Sequence, residues 1–129
     1  MCIRDRLFCP TVAEDVAFGP LNLSKSREEV RRIVANTLDS LGLTGYEHRV
    51  TYRLSGGEKR LVALATVLAM QPEVLLFDEP SGGLDDASTE RLIGILVRLP
   101  QTMIVVSHDR AFWEAVTTRV VKLKEGRVV

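Results

Sequence analysis

Two acidic residues follow a short apolar run near the middle of the chain. Asp78 and Glu79 come directly after residues 74–77, a continuous apolar run typical of a strand that is covered on both faces. Adjacent carboxylates at the end of a buried strand lose much of their solvation unless something compensates for the loss. A divalent cation would compensate, because α/β sheets bind ligands at the carboxyl ends of parallel strands. A solvated turn explains the same pair equally well, so this motif alone leaves both interpretations open.

A second group, Leu54 to Glu58, combines a serine, two glycines and a glutamate. Ser55 and Glu58 have the spacing of a capping box at the start of a helix. The capping box does not explain Gly56 and Gly57, since a glycine inside a helix costs up to about 1 kcal/mol relative to alanine. Glycines at a helix N-terminus let an anion approach the N–H donors, so a phosphate-binding corner is the alternative. On this motif alone, capping is the better explanation.

A histidine follows the second apolar run of the chain. His108 lies between Ser107 and Asp109, just after residues 103–106. A polar residue at the end of a neighbouring strand could reach a ligand at the same edge of the sheet. A lone histidine is more often structural, and that alternative also stays open.

The first part of the chain is predicted to be irregular and then helical. Residues 7–23 are interpreted as loop-like, because prolines and the turn at residues 18–20 interrupt a short apolar stretch. Ser26 and Glu29 form the next capping box, and an apolar stripe at three- and four-residue spacing follows them. Gly42 is placed where this helix would end in a left-handed turn.

The second part is predicted to be an α/β unit with a parallel sheet. Its expected elements are a helix at 56–70, a strand at 74–77, a helix at 87–99, a strand at 103–106, a short helix at 111–117 and two strands within 119–129. The first of these helices is apolar nearly all round, which predicts deep burial, while its basic residues Lys59 and Arg60 are expected to be solvated. Two strands joined by a long helical crossover imply parallel neighbours in one sheet.

Composition narrows the function classes. The 129 residues balance 17 Lys and Arg against 17 Asp and Glu, so no overall charge attracts the chain to nucleic acid. With 46% hydrophobic residues, the chain can fill a core. The longest apolar stretch, residues 61–70 with Thr66 as its one polar residue, has about half of the length that crosses a bilayer. Cys2 and Cys9 form neither a disulfide framework nor a zinc pattern, and we expect reduced thiols in the cytoplasm.

Taken in order, these motifs resemble those of the nucleotide-binding domains of ATP-binding-cassette (ABC) proteins. Residues 54–58 are similar to the family's signature motif, 74–80 to its Walker B strand, 81–85 to its D-loop and 107–109 to its switch histidine. The resemblance covers residues 7–129 and implies an α/β fold. This would be the C-terminal part of an ABC-type P-loop ATPase domain, with a parallel-sheet core and a helical signature subdomain. Residues 7–20 resemble the energy-coupling-factor ATPases, above all the cobalt and nickel importers, in which this segment lines the contact with the membrane subunit.

The resemblance also implies roles for the residues singled out above. Glu79 would polarise the attacking water, Asp78 would help to hold Mg²⁺ through water, and His108 would contact the γ-phosphate. Asp85 would lie in the contact between two domains packed head to tail. The residues that would complete the ATP site of the partner domain are Ser55, Gly56 and Gly57.

The implied function is that of the ATP-binding subunit of an ABC importer, which couples ATP hydrolysis to the uptake of a small substrate such as cobalt, nickel or a vitamin. The expected cofactors are ATP and Mg²⁺. The expected partners are a second nucleotide-binding domain, in a homodimer or a heterodimer, and an integral membrane transporter subunit, with no nucleic acid. The chain would then be cytoplasmic and peripheral on the inner face of the cell membrane. The alternatives are a soluble ABC-type ATPase that acts on ribosomes or DNA, and a non-catalytic fragment.

The chain departs from the family pattern in its first part. Residues 1–54 contain no G-x-x-x-x-G-K-[ST] phosphate loop (Walker A) and no Q-loop glutamine. Residues 1–6 do not resemble the family, so we expect an unrelated or artefactual head on a truncated domain. Within that domain, residues 7–70 would form the helical signature subdomain and 71–129 the α/β core with a C-terminal hairpin. The missing phosphate loop would supply a lysine and backbone N–H groups that bind the phosphates. Without it, the chain alone is expected neither to bind ATP tightly nor to hydrolyse it.

Overall fold

The computed structural model describes residues 7–129, which form five α-helices and four short strands. The helices are α1 (Val12–Asn22), α2 (Arg27–Ser40), α3 (Gly56–Leu68), α4 (Asp86–Leu96) and α5 (Arg110–Val116). The strands are β1 (Val74–Asp78), β2 (Thr102–Val106), β3 (Leu123–Lys124) and β4 (Arg127–Val128), and a 3₁₀ turn spans Thr51–Arg53. The order is helical first and α/β afterwards, as predicted. The head predicted at residues 1–6 lies outside the described residues.

Helix α1 shows that the prediction of a loop over residues 7–23 is wrong. The hydroxyl of Thr11 accepts a hydrogen bond from the Glu14 N–H at 3.3 Å, and the Glu14 carboxylate accepts one from the Thr11 N–H at 3.0 Å. This is a capping box, written in the sequence as Thr-x-x-Glu. Pro20 lies in the last turn of the helix. A proline has no N–H and so removes one backbone hydrogen bond, but this close to the end of the helix the loss does not prevent the helix from forming.

Packing explains why α1 continues through its Gly-Pro dipeptide. Val12 and Val16 are fully buried, and the helix contacts both α2 and α3. Gly19 lies so close to Met70 that a Cβ at this position would be 2.6 Å from the Met70 Cγ. Tertiary contacts therefore stabilise a segment whose local propensity for helix is weak.

Helix α2 confirms its predicted caps. The Ser26 hydroxyl accepts from the Glu29 N–H at 3.2 Å, and the Glu29 carboxylate accepts from the Ser26 N–H at 2.9 Å. Gly42, just beyond the helix, has a φ of +66°, which is the predicted left-handed turn. The buried stripe of the helix consists of Val30, Val34 and Leu38.

Helix α3 is buried over much of its length, as its apolar character predicts. All five residues at positions 61–65 are buried, and they join the core shared with α1 and α2. The helix ends at Leu68, slightly before the predicted end, and a turn leads through Met70 to Pro72. Helix α3 thus contacts α1, α2 and α4 and joins them around one core.

Strands β1 and β2 pair in parallel, as predicted, with Leu76 opposite Ile104. The prediction that this sheet is covered on both faces is wrong for the described residues. Leu75 and Phe77 are buried on one face, whereas Leu76 and Ile104 are about half exposed on the other. The continuous apolar run thus correctly indicates two apolar faces, of which only one packs on the helices described here.

The last elements agree with the sequence in kind and differ at their boundaries. Helix α4 ends at Leu96, earlier than the predicted residue 99, because a turn occupies the following positions. Strands β3 and β4 form the expected hairpin, with Leu123 opposite Val128 and Gly126 at a φ of +75° in the turn. Within residues 7–129 no helix is long and apolar enough to span a bilayer.

Candidate functional site

Glu79 follows β1 at a sharp change of backbone direction. Its N–H donates to the carbonyl oxygen of Val106 at 2.8 Å, which extends the pairing of β1 with β2. Its φ is +48°, a left-handed conformation that is uncommon for a residue other than glycine. The carbonyl oxygen of Glu79 accepts a hydrogen bond from the Gly82 N–H at 3.1 Å. Hydrogen bonds on both sides therefore hold this residue in its strained conformation.

The structure brings Glu79 and His108 together at one edge of the sheet. The His108 N–H donates to Glu79 Oε1 at 3.0 Å, and the Ser107 hydroxyl lies 3.4 Å from Oε2. The His108 Nε2 is 3.6 Å from Oε1, and the imidazole is 99% exposed. The carboxylate is thus held by the segment that follows β2, while the ring faces solvent. This is a candidate acid–base pair at the carboxyl edge of two parallel strands.

Asp78, the last residue of β1, is exposed at the same edge. In the part of the chain that the structure describes, no group of three or more His, Cys, Asp or Glu side chains could hold a metal ion. Mg²⁺ does not need such a group, because it keeps several waters and binds through one or two carboxylates together with substrate phosphates. The single exposed carboxylate of Asp78 is compatible with a Mg²⁺ ion of this kind, and the described residues form no metal cage by themselves.

Ser55 and Glu58 form the predicted capping box at the start of α3. The Ser55 N–H donates to Glu58 Oε2 at 2.8 Å, and the Glu58 N–H donates to the Ser55 hydroxyl at 3.2 Å. Glu58 Oε1 accepts from the Tyr46 hydroxyl at 2.8 Å and lies 3.1 Å from an Arg49 nitrogen. The hydrogen bond from the Ser55 N–H, followed by that from Tyr46, lowers the pKa of Glu58, and the bond to Glu58 raises the pKa of Tyr46. The proton of the Ser55 hydroxyl can still be donated to a ligand.

The two glycines of this motif have different surroundings. A Cβ at Gly56 would meet no atom within 4 Å, so the start of the helix is open there. A Cβ at Gly57 would collide with the hydroxyl of Ser88 and lie 2.9 Å from its Cβ. Close packing of α3 on α4 therefore explains Gly57, whereas Gly56 leaves space for an anion next to the first N–H groups of the helix.

Asp85 is the N-cap of α4 and contacts the same serine. Its carboxylate accepts from the Ser88 N–H at 2.7 Å, and this hydrogen bond lowers the pKa of Asp85. Gly57 and Asp85 therefore belong to one corner, which is formed by the first turns of α3 and α4.

The prediction that Arg60 is solvated is wrong. Arg60 is only 7% exposed, and its Nη2 donates to the carbonyl oxygen of Gly82 at 2.9 Å. Gly82 lies in the turn after Glu79, so Arg60 connects α3 to the carboxyl edge of the sheet. Spacing is the signal that could have identified this residue: Arg60 follows Gly57 by three positions and lies on the same face of the helix.

A second side-chain contact joins the turns that follow β1 and β2. The buried hydroxyl of Ser81 donates to Asp109 Oδ2 at 3.2 Å, while Asp109 Oδ1 accepts from the Phe112 N–H at 3.1 Å as the N-cap of α5. A cap of this kind can be predicted locally, but no local pattern predicts a partner for Ser81 that is 28 residues away. The predicted residues thus form two groups, Asp78, Glu79 and His108 at the sheet edge and Ser55, Gly56, Gly57 and Asp85 at the helix corner.

Comparisons with known proteins identify relatives of this chain. A family model for ABC transporters matches residues 5–82. A putative ABC transporter ATP-binding protein of Nitratidesulfovibrio vulgaris is 54% identical over 124 residues, which make up 96% of this chain and 45% of that protein. The energy-coupling factor transporter ATP-binding protein EcfA of Methanothermobacter thermautotrophicus is 44% identical, over 97% of this chain and 41% of its own length.

A solved structure has the same fold. The structure of cbiO1 from Clostridium perfringens, described as part of the ABC transporter complex cbiONQ, matches with a TM-score of 0.90 at 35% identity. The match covers 99% of this chain and 53% of that one. The chain also spans about half the length of the curated relatives it matches.

Proposed function

This chain belongs to the ABC transporter family, and we propose that it contributes the catalytic edge and the signature corner of an ATP-hydrolysing subunit. Its α/β fold is that of the C-terminal part of an ABC-type P-loop ATPase domain. The observation that carries the proposal is the contact between Glu79 and His108 at the carboxyl edge of β1 and β2. We further propose that the chain has two parts, a helical signature subdomain at residues 7–70 and an α/β core at residues 71–129.

Glu79 is proposed to be the general base. Its carboxylate would accept a proton from the water that attacks the γ-phosphate, and the hydrogen bond from the His108 N–H at 3.0 Å would orient it. The exposed imidazole of His108 would contact the γ-phosphate and thereby detect whether it is present. Close contact between the two residues supports this division of roles, because both would act on one phosphate.

Asp78 is proposed to hold Mg²⁺ through a water molecule. Its exposed position at the end of β1, next to Glu79, supports this role. Mg²⁺ bound with ATP neutralises charge on the phosphate oxygens. ATP and Mg²⁺ are accordingly the proposed cofactors.

The corner at α3 is proposed to bind the ATP of a second domain. The Ser55 hydroxyl and the N–H groups beside Gly56 are the donors, and the open space at Gly56 supports their access to a phosphate. Gly57 would allow the close packing of α4 that completes the corner. Asp85 would lie where the two domains meet.

The finer proposal is an importer of the energy-coupling-factor type. Two relatives carry energy-coupling-factor names, and the similar solved structure is part of a cbiONQ complex. The proposed partners are a second nucleotide-binding domain and an integral membrane subunit, which would hold the chain at the cytoplasmic face of the membrane. Exposed apolar side chains on and beside α1, namely Phe8, Phe18 and Leu21, support docking of such a subunit. The proposed substrate is small, such as cobalt, nickel or a vitamin.

The test of the catalytic proposal uses a chimera. The N-terminal segment of the Nitratidesulfovibrio vulgaris relative, up to its matched region, is joined to residues 7–129. We expect Mg²⁺-dependent ATP hydrolysis that Glu79→Gln lowers by about 10²- to 10⁴-fold, the contribution of a general base. Glu73→Gln, at the opposite end of β1, is the matched control and should leave the rate unchanged. Equal rates for the two variants would refute the assignment of Glu79.

The 129 residues alone are proposed neither to bind ATP tightly nor to hydrolyse it, because they contain no G-x-x-x-x-G-K-[ST] sequence. Calorimetric titration with MgATP and a phosphate-release assay measure the two properties. Hydrolysis by the purified chain that Glu79→Gln abolishes would contradict this statement.

A further inference from the structure

Glu58, in the first turn of α3, uses both oxygens of its carboxylate. Oε2 accepts from the Ser55 N–H at 2.8 Å and completes the capping box. Oε1 accepts from the Tyr46 hydroxyl at 2.8 Å and lies 3.1 Å from Nη1 of Arg49. The guanidinium carbon of Arg49 is also 3.7 Å from the centre of the Tyr46 ring. Tyr46, Arg49 and Glu58 therefore form one group of mutual contacts, which we call the Glu58 cluster.

Capping alone does not require the Glu58 cluster. In the part of the chain that the structure describes, the glutamates of the other two capping boxes, Glu14 and Glu29, accept hydrogen bonds only from their own N-cap residues. Helices α1 and α2 begin with these simpler boxes. The two additional donors at Glu58 therefore indicate a role beyond starting a helix.

Backbone contacts fix the segment that carries these two donors. The carbonyl oxygen of Arg49 accepts from the Val12 N–H at 3.0 Å, which ties the segment to the start of α1. The Arg49 N–H donates to the carbonyl oxygen of Tyr46 at 2.9 Å. The half-buried ring of Tyr46 packs against the hydrophobic core. Because the donors have fixed positions, they can fix the Glu58 carboxylate in turn.

Glu58 holds Ser55 at two points. Its carboxylate accepts from the Ser55 N–H, and its own N–H donates to the Ser55 hydroxyl at 3.2 Å. The hydroxyl oxygen thus acts as an acceptor within the chain, and its proton is left for a ligand. A displacement of about 1 Å in a group that positions a reactant can lower a rate by about 10²-fold. The contacts that hold Glu58 should therefore affect what the corner can bind.

We propose that Tyr46 and Arg49 are positioning residues of the phosphate-binding corner and that they act through Glu58. They hold the Glu58 carboxylate, and with it the Ser55 hydroxyl, in the geometry that binds a phosphate of the second domain's ATP. Arg49 also brings a positive charge to Glu58, which offsets the repulsion between that carboxylate and the phosphate. The proposal rests on the proposed function of the corner and adds two residues that lie outside the motif at 54–58.

Amide hydrogen exchange, followed by NMR in the 129-residue chain, tests the positioning directly. Tyr46→Phe removes the hydroxyl donor, and Arg49→Gln removes the charge beside Glu58. Each substitution should speed exchange of the Ser55 amide by about 2- to 10-fold, the effect of weakening one hydrogen bond. Unchanged exchange of this amide in both variants would overturn the proposal.

A second tyrosine–arginine pair provides matched controls. The guanidinium of Arg53 is 5.9 Å from the ring centre of Tyr52, and both residues are nearer to Ser55 in the sequence than the Glu58 cluster's donors are. Neither donates a hydrogen bond to Glu58 in the described structure. Tyr52→Phe and Arg53→Gln should therefore leave the exchange of the Ser55 amide unchanged.

The kcat/KM of MgATP hydrolysis by the chimera tests the consequence for the site. Tyr46→Phe and Arg49→Gln should each lower kcat/KM about tenfold, whereas the two control substitutions should not change it. The assay temperature is one at which circular dichroism shows every variant to be folded, so a loss of stability does not lower the rate. Glu58→Ala removes the group through which both residues act, and in that variant neither substitution should lower kcat/KM further.

The outcomes separate the positioning role from the function of the corner. If Gly56→Asp abolishes hydrolysis but Tyr46→Phe and Arg49→Gln leave kcat/KM unchanged, the corner keeps its function and the positioning role is refuted. A further loss when either substitution is added to Glu58→Ala would show that it does not act through Glu58, which also overturns the proposal. If the unaltered chimera is inactive, or if Gly56→Asp does not affect its rate, the proposed function of the corner fails and the positioning role fails with it.

Discussion

Gly56 and Gly57 are neighbours in the sequence, and their surroundings predict opposite responses to the same substitution. Gly57→Ala places a methyl group against Ser88, and overpacking of this kind destabilises by about 1–3 kcal/mol. Gly56→Ala meets no atom within 4 Å and should be neutral, or stabilising by up to about 1 kcal/mol through helix propensity. Urea unfolding of the two variants measures the difference.

Ser88 provides the control for this comparison. Ser88→Gly removes both atoms that the new methyl group would meet. Added to Gly57→Ala, it should therefore cost less stability than Ser88→Gly costs in the unaltered chain. If Gly56→Ala and Gly57→Ala destabilise the chain equally, the close approach of α4 is not the reason for a glycine at position 57.

The hydrogen bond from Arg60 to Gly82 is expected to stabilise the folded chain. Arg60→Met keeps much of the aliphatic volume but leaves the Gly82 carbonyl oxygen without its donor at 2.9 Å. Gly82 is exposed and water can replace the lost donor, so the cost is that of an ordinary hydrogen bond, about 0.5–1.5 kcal/mol, and the urea midpoint should fall accordingly. Lys59→Met, one position earlier on α3, is the control and should change stability by less than about 0.5 kcal/mol, as surface substitutions do. A similar loss in both variants would argue against a specific role for the contact with Gly82.

At the scale of the elements, the capping box of α3 predicts a pH dependence of stability. The pKa of Glu58 in the folded chain lies below its ordinary value of 4.5, chiefly because of the hydrogen bond from the Ser55 N–H. Its contribution to stability is therefore complete above pH 4.5 and is lost as the pH falls through the lowered, folded-state pKa. Glu58→Gln keeps a side chain that can complete the box but removes the titration.

Unfolding free energies between pH 6 and about pH 3 measure this effect. The decline on acidification should be smaller in Glu58→Gln than in the unaltered chain. Glu90→Gln, on the exposed side of α4, is the control and should show the decline of the unaltered chain. If the unfolding free energy of Glu58→Gln depends on pH as that of the unaltered chain does, Glu58 does not contribute to the pH dependence of stability.

The elements differ in how far the sequence predicts them, and the reasons are physical. Helix α2 and the start of α3 are specified by local signals, capping boxes followed by apolar residues at helical spacing, so both were predicted. The sequence predicts a loop where α1 forms, although Thr11 and Glu14 have the spacing of a capping box, because contacts of Val16 and Gly19 with distant residues outweigh the local effect of Pro20. The parallel pair β1 and β2 was predicted from two apolar runs, but such runs indicate apolar faces and not what covers them.

The contacts of the candidate site also differ in how far the sequence predicts them. Contact between Glu79 and His108 follows from a general rule, since the carboxyl ends of neighbouring parallel strands meet at one edge. The contacts of Arg60 with Gly82 and of Ser81 with Asp109 join positions that are 22 and 28 residues apart, so no local pattern specifies them. The sequence therefore indicates which residues carry the chemistry better than it indicates which residues hold them in place.

At the scale of the whole molecule, the two groups of site residues are proposed to act on different nucleotides. The sheet edge with Glu79 would serve the ATP of its own domain, and the corner at Gly56 would serve that of the mate. The hydrogen bond between Arg60 and Gly82 connects the two groups within one chain. In a symmetric dimer each composite site then takes one group from each subunit, which can be tested by mixing variants.

Gly56→Asp and Glu79→Gln in the chimera should each be inactive but should complement each other when mixed. The carboxylate of Gly56→Asp enters open space, so the fold tolerates it, but it would repel the triphosphate of the mate. Random pairing makes half of the dimers mixed, and each mixed dimer has one intact site of two, so about a quarter of the full rate should return. Gly56→Ala, which adds no charge, is the control and should stay active. If the mixture stays as inactive as its components, the corner and the edge of one chain do not serve different nucleotides, because a site built within one subunit always keeps the defect that this subunit carries.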